Sequence, residues 1–213
     1  MDALRDALSY VQDNPDRFWR AVTVHVRLSA TALLLAMVVF IPIGVIVSRS
    51  RRIGPSLVAG VAALRVIPSL ALLFILFPIL GPGEDTARWA LFVLAGPALV
   101  INTDAGLRNV STAVIESARG MGMTSLQVFT KIQVPLALPV IVGGVRTASI
   151  EIIASAVLAA YIGAGGLGNF ITSGLTLLDT RLLLVGAIPV TILALLAEGI
   201  FGTLERVLAP PVT

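Results

Sequence analysis

Ala30-Thr-Ala-Leu-Leu-Leu-Ala-Met-Val-Val-Phe-Ile-Pro-Ile-Gly-Val-Ile-Val47 carries no charge and runs straight into Ser48-Arg49-Ser50-Arg51-Arg52. A bilayer core needs roughly 20 apolar residues in helical form, and this run, extended back to about residue 24, supplies them. Further runs lie at about 57–80, 88–106, 138–162 and 182–204. All are too long for barrel strands, so the expected fold class is all-α integral membrane with five transmembrane helices. Composition agrees, because 57% of the 213 residues are hydrophobic, 13% are charged, and the mean hydropathy is +0.98. A soluble domain of this size carries about twice that share of charge on its surface. The formal net charge of +3 gives no argument for nucleic acid, and the lack of cysteine excludes disulfides and thiolate metal sites. A cleavable signal peptide is not expected, since the first apolar run follows a stretch mixed in acids and bases.

The loops set the orientation. Arg49, Arg51 and Arg52 follow the first run, Arg108, Arg119 and Lys131 follow the third, and Arg206 follows the fifth. The opposite loops hold only Arg88 and Arg181, beside Glu84, Asp85 and Asp179. Basic residues are retained in the cytoplasm, which predicts an outer N-terminus and a cytoplasmic C-terminus. Arg5, Arg17, Arg20 and Arg27 run against this reading, and the agreement of the two between-run clusters outweighs them. Residues 1–23 read as an outer interfacial segment, with Leu4, Leu8 and Val11 at helical spacing, a break at Asp13-Asn14-Pro15, and Phe18 and Trp19 suited to headgroup depth. Residues 24–213 then form the transmembrane domain. An odd number of spans and no internal repeat call for a second chain to complete any passage.

The stretch from about 108 to 136 is too long for a hairpin and too patterned for a linker. Ser111 can cap a short helix carrying Val114, Ile115 and Ala118. Gly120 and Gly122 allow a turn, and Thr124 with Gln127 has the spacing of a capping box. The second helix carries Leu126, Val128, Phe129 and Ile132, and Pro135 is expected to end it. Apolar and basic side chains on a cytoplasmic helix-turn-helix imply either a docked partner or a loop folded on its own spans.

Glu116, Ala118, Gly122, Ile132 and Pro135 also stand at the spacing of the EAA loop of bacterial ABC importer permeases, which this segment resembles, with Ser117 and Val134 as mild departures. The resemblance implies a type I importer permease (MetI-like) fold. It makes the loop a coupling helix that docks on a separate ATPase, in which Glu116 and Gly122 would shape the docking element; Thr124 and Phe129 belong to the same candidate docking loop. It also implies a second permease chain, an extracytoplasmic substrate-binding protein and a bacterial inner-membrane location. The likeness runs from about residue 24 to the end, through Ile67-Pro-Ser-Leu-Ala-Leu72, Asn102-Thr103, Pro135-Leu-Ala-Leu-Pro139, Gly144-Val-Arg-Thr-Ala148 and Leu158–Gly168. It is greatest to osmoprotectant permeases for glycine betaine, choline and carnitine. Permeases for methionine-type amino acids are the alternative, and a non-transporting membrane scaffold is the alternative of another class.

Charges inside spans are costly and either pair or face water. Arg65, Asp104 and Glu151 are such charges, and with Ser69 and Asn102 they are the candidates for a path or gate. A pairing of Arg65 with Asp104 or Glu151 is expected. The resembled family usually has Gln at position 65 and Tyr at 104, so this chain departs there. Arg146 and Glu198 are expected to pair or snorkel near headgroups, and His25 to sit at an interface.

Gly163-Ala-Gly-Gly-Leu-Gly168 spells a dinucleotide fingerprint, but it follows a membrane run and not a strand, so a turn is expected and no cofactor. Lys131, the only lysine, stands in no P-loop. The chain is therefore not expected to be an enzyme, and ATP would be bound by a partner subunit.

Overall fold

The computed structural model describes residues 2–50 and 52–209. Arg51, part of the basic cluster above, and residues 210–213 at the C-terminus lie outside the described residues. No strand occurs among the described residues, which form ten α-helices. They are α1 (Asp2–Asp13), α2 (Pro15–Arg49), α3 (Gly54–Ala63), α4 (Ser69–Leu80), α5 (Glu84–Arg108), α6 (Thr112–Gly120), α7 (Ser125–Val128), α8 (Val134–Ser155), α9 (Gly168–Leu177) and α10 (Thr180–Leu208).

Four helical stretches are long and apolar enough to cross a membrane: α2, α5, α10, and Ser125–Ile162, which contains α8. The second expected run is not one helix. It is α3, a 3-10 turn at Leu64–Val66, and α4, bent by 92° at the break between them, and together they make the fifth candidate span. The cause is local. Proline cannot donate a backbone hydrogen bond and disfavours helix at the residue before it. Pro68 is extended, at φ −60° and ψ 136°, and its carbonyl starts the next helix by accepting from Leu72 N–H at 3.1 Å. Pro42, Pro97, Pro139 and Pro189 sit inside helices that continue through them.

The N-terminal segment also departs from expectation. A break falls at Asn14, whose side chain donates to Tyr10 O at 3.1 Å, but the helix that starts at Pro15 runs unbroken into the first span. Proline at a first helical position loses no hydrogen bond, and no residue between 15 and 24 is a helix breaker.

The chain forms two compact units, Met1–Leu35 with Ile67–Ala95 and Ser149–Ala197, and Ala36–Val66 with Gly96–Ala148 and Glu198–Thr213. In the first, Ala7, Leu167, Phe170, Leu182 and Val185 form a buried cluster, with Tyr10 and Phe18 packed on it. The glycine-rich motif lies here. Ala156–Ile162 tightens into a 3-10 helix, Gly163 closes it in a left-handed conformation at φ 75°, and α9 follows at Gly168. The motif is thus a helix-to-helix turn, the wrong setting for a dinucleotide. Asp179 caps α10, accepting from Arg181 N–H at 2.9 Å and Leu182 N–H at 3.3 Å. Burial raises the Asp179 pKa, but these bonds and the Arg181 guanidinium outweigh it and hold the carboxyl below its ordinary value. His25, expected at the outer end of the first span, is packed inside the first unit. It is 1% exposed, and its Nε2 lies 3.1 Å from Ile153 O, which ties α2 to α8.

In the second unit Leu107, Ala137 and Ile141 form the cluster, with Ile41, Val45 and Phe129 against it. Helices approach closely where one of them lacks a Cβ. At Gly144 of α8 an added Cβ would come within 2.6 Å of Asn102 Cβ and 3.0 Å of Ala98 O on α5. Arg146 forms ion pairs with Glu198 at 3.4 Å and Glu205 at 3.0 Å, so of the two expectations for Arg146 and Glu198 it is pairing that occurs. Outward faces of each unit stay apolar, with Val38, Ile46 and Ile200 of the second and Leu195 of the first each more than 60% exposed. In a membrane chain lipid replaces water on such faces.

Gly144→Ala should destabilise the protein by about 1–3 kcal/mol, because the overlap involves a rigid backbone and a Cβ. Gly143→Ala meets only the movable Glu205 carboxylate, at 3.4 Å, and should be close to neutral. Thermal unfolding in detergent distinguishes the two variants.

Candidate functional site

The segment between α5 and α8 belongs to the second unit, and each of its turns has a stated cause. Ser111 occupies the N-cap position of α6 but its hydroxyl makes no capping bond, so the expected cap is positional only. The Ser111 carbonyl starts the helix by accepting from Ile115 N–H at 3.2 Å. The other end is a complete Schellman motif: Met123 N–H donates to Ala118 O at 3.2 Å, and Gly122 N–H to Arg119 O at 2.9 Å. That motif needs a left-handed residue, and Gly122 supplies it at φ +84°. Open space surrounds an added Cβ there, so the requirement for glycine is conformational and not steric.

The capping box at the next helix is present as expected. Thr124 Oγ1 accepts from Gln127 N–H at 3.3 Å, and Gln127 Oε1 accepts from Thr124 N–H at 2.8 Å. Pro135, however, does not end the helix. α7 passes through a π-helical turn, Phe129–Gln133, into α8, and Val134 N–H donates to Phe129 O. The widened turn lets the helix continue across a residue that has no N–H.

The predicted loop residues therefore divide by position. Ala118 and Val128 are buried where α6 meets α7. Phe129 is half-buried on the Leu107–Ala137–Ile141 cluster, and the Arg49 guanidinium lies 4.3 Å from its ring centroid. Ile132 is half-buried, while Glu116, Gly122, Thr124 and Pro135 are exposed. The large apolar side chains turned outward are Val114 at 41%, Leu126 at 71% and Met121 at 76% exposure. Met121 escaped the sequence reading. Its signal was its place between Gly120 and Gly122, in a turn too tight to bury a long side chain.

Of the five path candidates, Arg65, Asn102 and Asp104 belong to the second unit, and Ser69 and Glu151 to the first. Asp104 does not pair with Arg65. It is 8% exposed and accepts from Arg108 Nε at 2.7 Å, one helical turn along α5. Arg108 Nη2 in turn donates to Val47 O at 2.9 Å and Ser50 O at 3.0 Å. The last carbonyls of a helix have no partner within it, so Arg108 caps the C-terminus of α2 and Asp104 aims it. Asn102 Nδ2 donates to Ala98 O at 2.8 Å, within its own helix, and its Cβ faces Gly144. Arg65 is exposed at the 3-10 turn that ends α3, in the second unit. Ser69 and Glu151, both half-buried, belong to the first unit. Arg49 and Arg108, read from sequence only as orientation signals, thus also hold the two ends of the loop.

The family described as binding-protein-dependent transport system inner membrane component matches residues 40–209. The chain is 41% identical over 210 residues to the carnitine transport permease protein OpuCB of Listeria monocytogenes, covering 99% of this chain and 95% of the relative. It is 33% identical over 207 residues to the glycine betaine/carnitine/choline transport system permease protein OpuCB of Bacillus subtilis (strain 168), covering 97% and 95%. The fold is similar to a chain of the inward-facing MetNI methionine ABC transporter, with a TM-score of 0.83 over 91% of this chain and 97% of that one, at 22% identity.

Gly122→Ala must carry a Cβ at positive φ, at a cost of about 1–2 kcal/mol, whereas Gly122→Asn should cost less because asparagine tolerates that region. The amides of Gly122 and Met123 should exchange with solvent roughly tenfold faster in the alanine variant, which hydrogen exchange with mass spectrometry measures.

Proposed function

The chain belongs to the binding-protein-dependent transport system inner membrane component family, and from that membership we propose that it forms, with a second permease chain, the membrane passage of an ATP-driven importer for small osmoprotectants. As a permease of that family it is a multi-pass membrane protein and not the ATP-hydrolysing subunit. The observation that carries the substrate class is similarity over nearly the whole chain to permeases named for carnitine, choline and glycine betaine. The amino-acid alternative has structural neighbours in its favour, but these are 19–23% identical and speak for the fold alone.

In this reading the α6–α7 segment faces the cytoplasm and docks on an ATPase. Val114, Met121 and Leu126 offer apolar contact, and Glu116 offers a charge that no described residue neutralises by an ion pair. Ala118, Gly122 and Thr124 shape the segment, while Phe129, Ile132 and Pro135 join it to α8. Because α7 and α8 are continuous, a push on the segment is a push on a membrane helix. Closure of two ATPases would then rock the spans between inward and outward openings. The arginine pattern supports an outer N-terminus and a cytoplasmic C-terminus. Leu4 and Leu8, exposed on α1, and Trp19 support an outer interfacial placement for residues 1–23. An extracytoplasmic binding protein delivers substrate and does much of the selection. Arg65, Ser69 and Glu151 remain the proposed path or gate residues. Asn102 and Asp104 are proposed to act there through packing and through the Arg108 cap.

Leu126→Glu should leave the protein in the membrane and weaken ATPase association roughly tenfold, about 1.4 kcal/mol. Co-purification with the ATPase and uptake by proteoliposomes measure this, and unchanged uptake would sink the docking assignment. The partner binding protein should gain thermal stability from glycine betaine, carnitine or choline. Stabilisation by amino acids alone would overturn the substrate class.

A further inference from the structure

The first unit carries an open cavity that the transport reading leaves unused. It measures about 190 Å³ and is lined by Arg17 and Arg20 of α2, Gly165 and Gly166 of the turn before α9, and Asn169 and Phe170 of α9. No carboxylate is among its lining residues. Three of the four other arginines of the same unit are matched with acids: Arg27 with Glu84 at 2.5 Å, Arg88 with Asp85 at 2.5 Å, and Arg181 with Asp179 at 3.0 Å. Arg17 and Arg20 form no ion pair with a described residue. Neutral groups position Arg17 instead: its Nη1 donates to Tyr10 Oη at 2.8 Å, and its guanidinium lies 5.3 Å from the Phe170 ring centroid. These contacts fix its direction and leave its charge uncompensated.

Two arginines and an asparagine on the lining of one small cavity suit a tetrahedral oxyanion, since arginine's paired donors match phosphate oxygens two at a time. Gly165 and Gly166, at φ +80° and +82°, keep side chains off the cavity's other wall. The surroundings indicate the depth. Trp19 is 63% exposed, stands edge-to-face with Phe18 at 5.3 Å, and follows the exposed Leu4 and Leu8 of α1. Aromatic and apolar side chains in such an arrangement gather at headgroup level, where the abundant phosphate is that of lipid.

We propose that the Arg17–Arg20 cavity is a phosphate site at the membrane interface, filled by the headgroup of an anionic phospholipid. It gives Arg17 and Arg20 a function of their own, which accounts for these two among the N-terminal arginines that run against the orientation pattern. The site is independent of which substrate is carried.

The test uses the full transporter complex, extracted in detergent and stripped of lipid, with phosphatidylglycerol added back and adducts counted by native mass spectrometry. The wild type should retain one phosphatidylglycerol per permease chain, and millimolar inorganic phosphate should not displace it. The Arg17→Gln, Arg20→Gln double variant should lose the adduct. Asn169→Asp, at an exposed position, should also lose it by placing a carboxylate in the cavity, and an unchanged thermal midpoint shows that this variant is folded. If inorganic phosphate raises the wild-type midpoint but not that of Asn169→Asp, and no lipid adduct forms, the phosphate chemistry holds and the lipid source is overturned. Adducts equal in the wild type and folded Asn169→Asp, or no response to either probe, overturn the site altogether.

Discussion

A backbone that crosses hydrocarbon has no water to satisfy its N–H and C=O groups, so each must find a partner inside the chain. Nearly all of this protein's architecture follows from that constraint. Long helices satisfy it automatically, and the interest lies where they stop. α2 ends on carbonyls that Arg108 reaches from α5. Outside the candidate spans, α6 ends in a Schellman motif that consumes two of its own carbonyls. α7 avoids an ending by widening into a π-turn before Pro135. Among the described residues, only at Pro68 does the chain break a candidate span outright, and there the proline carbonyl starts the next helix at once.

The same economy appears in the arginines. A positive charge at a helix end holds a loop in the cytoplasm during insertion, and in the folded chain it becomes a donor with few competitors. Arg108 serves the end of α2, and Arg49 lies over the Phe129 ring where the loop rejoins α8. The loop is thereby held at both ends by residues of the basic clusters on which the proposed orientation rests. Between these ends the well-ordered turns at Gly122 and Thr124 leave Val114, Met121 and Leu126 outward. A rigid, apolar element continuous with a membrane helix can transmit a displacement, which a flexible loop cannot.

Asp104 shows why intramembrane charges are poorly read from sequence. The expected pairing with Arg65 rested on the cost of a lone buried carboxylate, and that cost is met, but by Arg108 one turn away. An i,i+4 pair within one helix needs no long-range geometry, and it was visible in the sequence beside the more distant candidates. Arg108 was passed over because its place at the end of a span already had an explanation.

The sequence alone determined the membrane class, the five apolar runs, the positions of the loop's turn residues and the capping box, because each depends on composition, on periodicity, or on chemistry within four residues. It also carried the family, through spacing in that loop. Tertiary structure decided the rest. It broke the second run at Pro68, carried the first helix back to Pro15, continued α7 across Pro135, and buried His25 against Ile153 O. It also separated loop residues that hold the segment together from those that face outward. These outcomes depend on which helix lies beside which. A side chain's partner 61 residues away, as with Arg108 and Val47, is set by packing and leaves no mark on the local pattern.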